Sequence, residues 1–211
     1  RYRSLGVKNI EIVGNLKFDV PLDPALVQQG KDWKEDIHSG KRLMVCAAST
    51  RDGEEAIILK AWRDLLLNHA FTIKPLLCLV PRHPERFSDV ADQIHAAGFK
   101  FRRRSEWSGI PQDHAGLEVI LGDSMGEMTM YYSAADFVVM GGSLLRFGGQ
   151  NLIEACAAGC PVLLGEHTYN FQQASIDALD SGAAKRIKGD LLLGEPIALM
   201  EALKSLLLLL Y

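Results

Sequence analysis

Apolar residues along the chain fall into two patterns, short continuous runs and longer stretches in which they recur every three or four positions. The runs predict buried strands of a parallel sheet, and the longer stretches predict amphipathic helices. The alternation becomes regular at Lys41. Strands are predicted at 42–49, 75–80, 99–103, 117–121, 136–140, 161–164 and 183–187, and helices at 53–69, 84–98, 125–134, 171–181 and from 196 onward.

Strands that alternate with helices are typical of βαβ units, whose right-handed crossovers cover both faces of a parallel sheet. The sequence therefore predicts an α/β fold of the Rossmann-like, doubly wound type. Ligands of such sheets bind beyond the carboxyl ends of the strands. Polar residues and glycines gather in four loops at these ends, so we expect a binding site there: 49–55, 81–87, 122–128 and 141–171.

The stretch at 141–171 carries the strongest local signal. Gly141 with Gly142 and Gly148 with Gly149 frame a loop whose backbone can reach positive φ and approach a ligand closely. A helix is predicted to follow, and its N–H groups and dipole favour an anion at its start. Glu154 lies one turn in, where its carboxylate is placed to accept sugar hydroxyls. The predicted apolar stripe of this helix is Leu152, Ile153, Cys156 and Ala157.

The other three loops each allow a second interpretation. Arg82 follows a strand directly and is suited to grip a phosphate with two hydrogen bonds. A capping box, with Thr50 or Asp52 as the N-cap and Glu54 or Glu55 three residues on, explains most of the first loop. Capping also suffices for Ser124 and Glu127. Gly126 in a predicted first helical turn costs about 0.5 to 1 kcal/mol, which indicates a close approach by another group.

Composition is that of a soluble globular protein with a sizeable core. The 211 residues are 48% hydrophobic and 23% charged, with a formal net charge of -3. This balance argues against nucleic-acid binding, and the basic run at 102–104 is too short to change it. The chain starts without a methionine or a signal peptide, so we expect a fragment of a longer protein.

Neither disulfides nor a metal site is expected, because all four cysteines lie in apolar strand or helix contexts. They are Cys46, Cys78, Cys156 and Cys160. The apolar run at 206–210 is too short to span a bilayer and predicts the buried face of a terminal helix. Residues 1–25 are predicted to hold the last strand of a missing N-terminal domain and a proline-containing linker, ahead of one domain at 26–211.

Five stretches, in this order and spacing, resemble the C-terminal half of the bacterial 3-deoxy-D-manno-octulosonic acid (Kdo) transferases, which build the inner core of lipopolysaccharide. They are NIEIVGNLKFD (9–19), STRDGEE (49–55), LVPRHPERF (79–87), GDSMGEM (122–128) and the glycine-rich stretch 141–171. Departures from the family pattern include Arg51 and Gln150, each where a histidine is usual. These changes concern the sugar contacts more than the donor class.

The resemblance implies a GT-B glycosyltransferase of two Rossmann-like domains, with this chain as the C-terminal, donor-binding one. The donor would be CMP-Kdo and the acceptor a lipid A precursor bound by the missing domain. Transfer would be inverting and independent of metals and cofactors, at the cytoplasmic face of the inner membrane. Because the family's general base lies in the N-terminal domain, we expect a soluble fragment that binds nucleotide, touches no membrane and cannot catalyse transfer alone.

The resemblance also implies a set of donor-binding residues. Arg82 and the N–H groups at 148–151 would hold the phosphate, Glu154 the ribose hydroxyls, and the loop at 122–127 would close against the nucleotide and the Kdo carboxylate. The full set is Ser49, Arg82, His83, Gly122, Asp123, Met125, Gly126, Glu127, Gly142, Ser143, Gly149, Asn151 and Glu154.

Two other functions stay open on the sequence. A GT-B-shaped sugar-nucleotide epimerase would prefer uridine nucleotides and carry acid/base histidines in its other domain. A non-enzymatic, nucleotide-binding Rossmann domain would show no sugar selectivity. Binding of CMP, UMP and UDP-sugars, repeated with Glu154→Ala, therefore separates the three interpretations.

Overall fold

Seven strands form one sheet in the part of the chain that the computed structural model describes, which is residues 3–9, 21–39, 41–69, 71–106, 116–187 and 196–210. The strands are β1 Met44–Thr50, β2 Leu76–Pro81, β3 Phe101–Arg103, β4 Val119–Leu121, β5 Phe137–Met140, β6 Val162–Leu164 and β7 Ala184–Arg186. All seven predicted strands are confirmed, with ends that differ by at most two residues.

Seven α-helices accompany the sheet in the same described residues. They are α1 Pro24–Ser39, α2 Glu54–Asn68, α3 Phe87–Ala96, α4 Met128–Ala134, α5 Ile153–Ala157, α6 Gln172–Asp180 and α7 Ile197–Leu210. Short 3₁₀ turns precede α3 at Pro84–Arg86, follow β3 at Arg104–Glu106 and precede α6 at Tyr169–Phe171. Except for α1, each of these helices was predicted from the spacing of its apolar residues.

The order of the strands is β3-β4-β2-β1-β5-β6-β7, and every neighbouring pair is parallel. The chain builds one half of the sheet outward from β1 and then crosses to β5 on the other side of β1. This reversal places a topological switch point between β1 and β5, where doubly wound sheets bind ligands. The predicted Rossmann-like fold class is therefore confirmed.

Two hydrophobic cores cover the two faces of the sheet, and β1 contributes to both. Val45 and Ala47 face the core built with α2, α3 and α7. Met44, Cys46 and Ala48 face the core built with α1, α4, α5 and α6. Because both faces are buried, the strands contain continuous apolar runs and not an alternation of apolar and polar residues.

Helix α1 replaces the linker that was predicted after the proline pair. Asp23 accepts a hydrogen bond from the Ala25 N–H at 2.9 Å and so caps the helix, with Pro24 at its first position. Its buried residues are Gly30, Trp33 and Ile37, at helical spacing. Only these three are buried among sixteen residues, so the apolar signal of α1 is weak.

Helix α7 contains the C-terminal leucine run, but the run is not a buried face. Leu207 is buried, whereas Leu208, Leu209 and Leu210 are 58%, 77% and 53% exposed. Five consecutive residues go more than once around a helix with 3.6 residues per turn, so they cannot share one face. None of the described helices combines the length and apolarity that a bilayer span requires. The predicted strand at 9–19 lies, apart from its first residue, outside the described residues.

Gly30 sets the distance between α1 and α4. A Cβ atom at this position would lie 2.4 Å from the Met130 carbonyl oxygen and 2.5 Å from the Ser133 Cβ. We predict that Gly30→Ala lowers the free energy of unfolding by about 1 to 3 kcal/mol, although alanine is the better helix former. Urea denaturation measures the change. Gly116→Ala, whose Cβ would meet nothing within 4 Å, is the control; equal stability of both variants would refute close α1–α4 packing.

Candidate functional site

A cleft of about 270 Å³ opens at the carboxyl ends of β1, β2 and β4. Residues at the ends of β1 and β2 and in the segment between β4 and α4, together with Glu154 in α5, form its walls: Ser49, Val80, Pro81, Arg82, Ser124, Met125, Gly126, Met128 and Glu154. Five of the predicted donor-binding residues are among them, namely Ser49, Arg82, Met125, Gly126 and Glu154. The cleft therefore lies on the sheet edge that the sequence predicted.

Arg82 presents an exposed guanidinium to the cleft. Its backbone N–H is held by the Thr50 carbonyl at 3.0 Å, which ties the ends of β1 and β2 together. Its side chain makes no hydrogen bond or ion pair with any residue that the structure describes. Arg82 can therefore accept an anionic ligand without breaking a contact within the protein.

Arg86, one turn further along the chain, forms ion pairs within the protein instead. Its guanidinium contacts the Glu55 carboxylate at 2.6 Å and Asp52 and Asp89 at 3.2 and 3.5 Å. Glu55 is fully buried and also accepts a hydrogen bond from Thr50 Oγ1 at 2.7 Å. This buried pair joins the loop after β2 to the start of α2, so Arg86 is not available to a ligand.

Glu154 is oriented by a contact that the sequence did not reveal. Thr129 Oγ1 in α4 donates to Glu154 Oε1 at 2.6 Å. Within the described residues, Oε2 makes no hydrogen bond. One carboxylate oxygen is therefore fixed by the protein, and the other is available to hydroxyl donors in the cleft.

Ser49 occupies a strained backbone position at the end of β1. Its φ of 55° lies in the left-handed region that non-glycine residues seldom adopt, and the pairing of β1 with β2 shifts register between Ala48 and Thr50. Gly141 packs directly against it, since a Cβ on Gly141 would lie 2.3 Å from the Ser49 carbonyl oxygen. Gly141 is thus required by the approach of two protein loops, and the predicted approach of a ligand is not needed to explain it.

Buried Glu54 holds these two loops together. Its Oε1 accepts the N–H groups of Leu144 and Leu145 at 2.9 and 3.2 Å, and its Oε2 accepts those of Gly142 and Arg51 at 2.7 and 2.9 Å. Burial raises the pKa of the Glu54 carboxyl above its ordinary value, and the four N–H donors oppose that shift.

The sequence identified Glu54 only as half of a helix cap. The predicted N-caps, Thr50 and Asp52, are wrong, because Gly53 with a φ of 85° occupies the cap position. The reach of Glu54 to the loop after β5, about ninety residues away, carries no local sequence signal.

The glycine-rich loop uses much of its hydrogen-bonding capacity internally. The Gly142 N–H donates to Glu54, and the Gly149 N–H donates to the Gly142 carbonyl at 2.6 Å. Ser143 is fully buried, donates to the Met140 carbonyl and accepts the Gly165 N–H at 2.8 Å. These three predicted donor-binding residues do not line the cleft.

Helix α5 is shorter than predicted, with five residues. Leu152 occupies the N-cap position, and Asn151 Oδ1, one residue earlier, accepts the Ile153 N–H at 3.1 Å. The buried stripe of α5 is Leu152, Ile153 and Ala155, whereas Ala157 is exposed, so this part of the prediction is wrong. Five residues supply only a small dipole, which weakens the case for an anion at 148–151.

The loop after β4 departs from its prediction in two respects. Helix α4 begins at Met128, so Gly126 lies in a turn before it with a φ of 79° and open space around it. Positive φ, and not a close approach, is what requires glycine here. Gly122 packs on Val80, since a Cβ on Gly122 would lie 2.7 Å from Val80 Cγ2.

The acidic residues of this loop are held by the segment after β3. Asp123 accepts hydrogen bonds from the Ser105 N–H and Oγ at 2.8 and 2.7 Å and lies 3.6 Å from an Arg103 guanidinium nitrogen. Glu127 pairs with Arg104 at 2.7 Å. Neither Asp123 nor Glu127 lines the cleft.

His83 lies beside the cleft and pairs with an arginine. The Arg51 Nη1 donates to His83 Nε2 at 2.7 Å, and the Arg51 guanidinium stacks over the Phe147 ring at 5.0 Å. His83 thus bridges the loops after β1 and β2 and does not line the cleft. The sequence singled out Arg51 only as a departure from the family pattern.

Other chemistry is sparse in the described part of the chain. No group of three or more His, Cys, Asp or Glu side chains there is placed to hold a metal ion, and the four cysteines are free. Two larger grooves, of about 380 and 320 Å³, lie between α2 and α3 and between α5 and α6. Aliphatic side chains make up more than half of the residues that line each groove, and neither groove lies at the carboxyl edge of the sheet.

This chain is similar in sequence to proteins of known name. No protein-family model matches it. It is 48% identical over 186 residues to a 3-deoxy-D-manno-octulosonic acid transferase of Bordetella pertussis, a match that covers 88% of this chain and 42% of that protein. With a transferase of the same name from Haemophilus influenzae it shares 41% identity over 179 residues, 82% of this chain and 39% of that one.

A solved structure agrees with these sequence matches. The crystal structure of the C-terminal CMP-Kdo binding domain of WaaA from Acinetobacter baumannii superposes with a TM-score of 0.73 and 29% identity, over 87% of this chain and 91% of that one. The chain is homologous to the Kdo transferases. The predicted resemblance to their C-terminal half is therefore confirmed, and the chain spans about two fifths of the length of the transferases it matches.

The thirteen predicted donor-binding residues remain a prediction. The structure divides them into five that line the cleft and eight that do not. The eight are His83, Gly122, Asp123, Glu127, Gly142, Ser143, Gly149 and Asn151.

The buried carboxylate of Glu54 provides a test of how the cleft is held. We predict that Glu54→Gln lowers the free energy of unfolding by about 2 to 4 kcal/mol, because either amide orientation turns an NH₂ group toward two N–H donors. The midpoint of urea unfolding measures the change. Glu166→Gln makes the same substitution at an exposed position. If both variants unfold at the same urea concentration, the four hydrogen bonds to Glu54 contribute nothing to stability.

Proposed function

We propose that this chain is the donor-binding domain of a Kdo transferase and that its cleft binds CMP-Kdo. The observation that carries the proposal is the presence, in one cleft at the carboxyl edge of the sheet, of two side chains: Arg82, which has no partner among the described residues, and Glu154, whose carboxylate is fixed by Thr129. A nucleotide sugar carries both an anionic phosphate and several hydroxyls. The two side chains match these two chemical features.

In this proposal Arg82 binds the phosphate of the donor. A guanidinium donates two parallel hydrogen bonds to phosphate oxygens and keeps its charge at any physiological pH. As the bond between Kdo and CMP breaks, negative charge grows on the phosphate. Arg82 then stabilises the leaving group, since a cation already in position needs little reorganisation. No metal ion or other cofactor is part of the proposal.

Glu154 would bind the hydroxyls of the donor with its available oxygen, Oε2. Ser124 and Gly126 line the opposite side of the cleft, and Met125 is exposed at its rim. This loop is placed to cover the nucleotide and the Kdo carboxylate. We propose that Ser49, which also lines the cleft and has a strained backbone, contributes polar groups to the same ligand.

The full-length protein would be a GT-B enzyme that transfers Kdo, with inversion, to a lipid A precursor during synthesis of the lipopolysaccharide core. Two arguments support a second domain. The chain spans about two fifths of the transferases it matches. The cleft, at about 270 Å³, is also slightly smaller than the roughly 300 to 1,000 Å³ typical of small-molecule sites. The general base and the acceptor site would lie in that domain, at the cytoplasmic face of the inner membrane.

The same reasoning separates this proposal from its alternatives. An epimerase of similar fold would bind uridine nucleotides, and a non-enzymatic nucleotide-binding domain would not distinguish sugars. The names of the relatives favour the transferase. Calorimetric titration of the chain with CMP, UMP and a UDP-sugar tests this directly, and binding of uridine nucleotides in preference to CMP would rule the proposal out.

Replacement of Arg82 should weaken nucleotide binding without unfolding the protein. We predict that Arg82→Ala lowers the affinity for CMP about ten- to a hundredfold, the range expected for losing a charge-assisted hydrogen bond. Because the side chain has no partner in the described residues, the melting temperature should stay unchanged. Lys185→Ala, an equal charge change at an exposed position in β7, should bind CMP as the parent chain does. Titration in EDTA should give the same parent affinity.

Replacement of Glu154 should separate its two oxygens. We predict that Glu154→Ala loses about tenfold in CMP affinity and that Glu154→Gln loses less, because a glutamine oxygen still accepts the Thr129 hydroxyl and its NH₂ still reaches the ligand. Calorimetry measures both. CMP affinity that is indifferent to Glu154→Ala would remove the ribose-binding role from the proposal.

A further inference from the structure

The basic run 102–104, at the end of β3, has no role in the proposed function as described so far. Its residues do not line the cleft, and its charge is too small for nucleic-acid binding. In the structure, however, Arg103 and Arg104 point at the loop that forms one wall of the cleft. Arg103 lies 3.6 Å from Asp123, and Arg104 lies 2.7 Å from Glu127.

Arg104 belongs to a closed ring of five side chains. It donates to Glu127 Oε1, and Glu127 Oε2 accepts a short hydrogen bond from Ser124 Oγ. Ser124 Oγ contacts the Tyr131 hydroxyl at 2.7 Å, and the Tyr131 ring packs edge-on against Trp33 at 6.2 Å. The Trp33 ring closes the circle, because the Arg104 guanidinium stacks over it at 5.5 Å.

Ser124 is the one member of this ring that lines the cleft. Its position depends on Glu127 on one side and on Tyr131 on the other. Glu127 in turn depends on Arg104, whose side chain is 11% exposed. The Arg104 guanidinium is held by both the Glu127 carboxylate and the Trp33 ring. Removal of the guanidinium would therefore release Glu127, and Ser124 and the turn at Gly126 with it.

Charge gives Arg104 a second effect. Glu127 lies next to a cleft that is proposed to bind an anion, and an unpaired carboxylate there would repel a phosphate. Pairing with Arg104 neutralises this charge. Two effects, loop position and charge balance, thus act in the same direction on an anionic ligand.

We infer that Arg104 is a positioning residue of the cleft, which holds the loop at 122–127 in the conformation that receives a nucleotide through Glu127 and Ser124. Ser105 and Arg103, on Asp123, fix the other end of the same loop. The inference rests on the proposed function for the identity of the ligand. The contact between the run and the loop does not depend on it.

Hydrogen–deuterium exchange tests the contact between Arg104 and the loop at 122–127, here called the brace, without any ligand. In Arg104→Ala, the backbone amides of Asp123 and Tyr131, which donate to the carbonyls of Leu121 and Glu127 at 3.1 and 3.2 Å, should exchange about tenfold faster than in the parent chain, because the loop between them loses its contact with Arg104. Arg102→Ala removes the same charge from an exposed neighbour in β3 and should leave the exchange of these two amides unchanged. Equal exchange in the two variants would overturn the inference.

Binding of CMP tests the consequence for the cleft. Arg104→Ala should lower CMP affinity about tenfold, and Arg102→Ala should not. In a Glu127→Gln background, the further loss caused by Arg104→Ala should shrink to less than about threefold, since the residue through which Arg104 acts has changed. Losses that multiply in the double variant would show that Arg104 acts independently of Glu127 and would refute the inference.

The two measurements distinguish failure of the inference from failure of the proposed function. If the parent chain does not bind CMP but its loop loosens in Arg104→Ala, the ligand assignment is wrong and the brace stands. If the parent chain binds CMP and Arg104→Ala behaves as Arg102→Ala does in both experiments, the brace is wrong and the proposed function stands.

Discussion

The hydrogen bonds to the buried Glu54 carboxylate are the interaction on which the cleft depends. A buried carboxylate without partners costs several kcal/mol, and Glu54 is tolerated because four backbone N–H groups surround it. Three of those groups belong to the loop after β5 and one to the turn after β1. The hydrogen bonds therefore join the ends of β1 and β5, the two strands at the topological switch point. At the same point Gly141 packs against the backbone of Ser49, so that the two strand ends lie close together.

The charged residues at this edge of the sheet have two different roles. Glu55 with Arg86, Asp123 with Arg103, and Glu127 with Arg104 are paired within the protein. Such pairs join neighbouring loops and leave little net charge at the edge of the sheet. Arg82 is different, because its guanidinium has no partner among the described residues. A ligand competes with no internal contact for Arg82, which makes it the cation best suited to bind an anion.

Local sequence signals were sufficient for the strands and most of the helices. Continuous apolar runs report burial on both faces of a sheet, and helical spacing reports burial on one face, so both patterns follow directly from where water is excluded. The topology rule for parallel sheets then predicted the correct edge for the cleft. The sequence could place Arg82 and Glu154 in the cleft because they lie next to a strand end and a helix start. At such points, position along the chain predicts position in space.

Contacts between residues far apart in the chain were decided by tertiary structure alone. Glu54, Asp123 and Ser143 look like caps or ligand groups in sequence, yet their partners come from other loops. Helix α1 buries only three residues, so its polar sequence resembles a linker until α4 packs against it. The physical reason is the same in each case. Propensity and periodicity describe a residue and its near neighbours, whereas the partner of a buried polar group is chosen by the packing of the whole sheet.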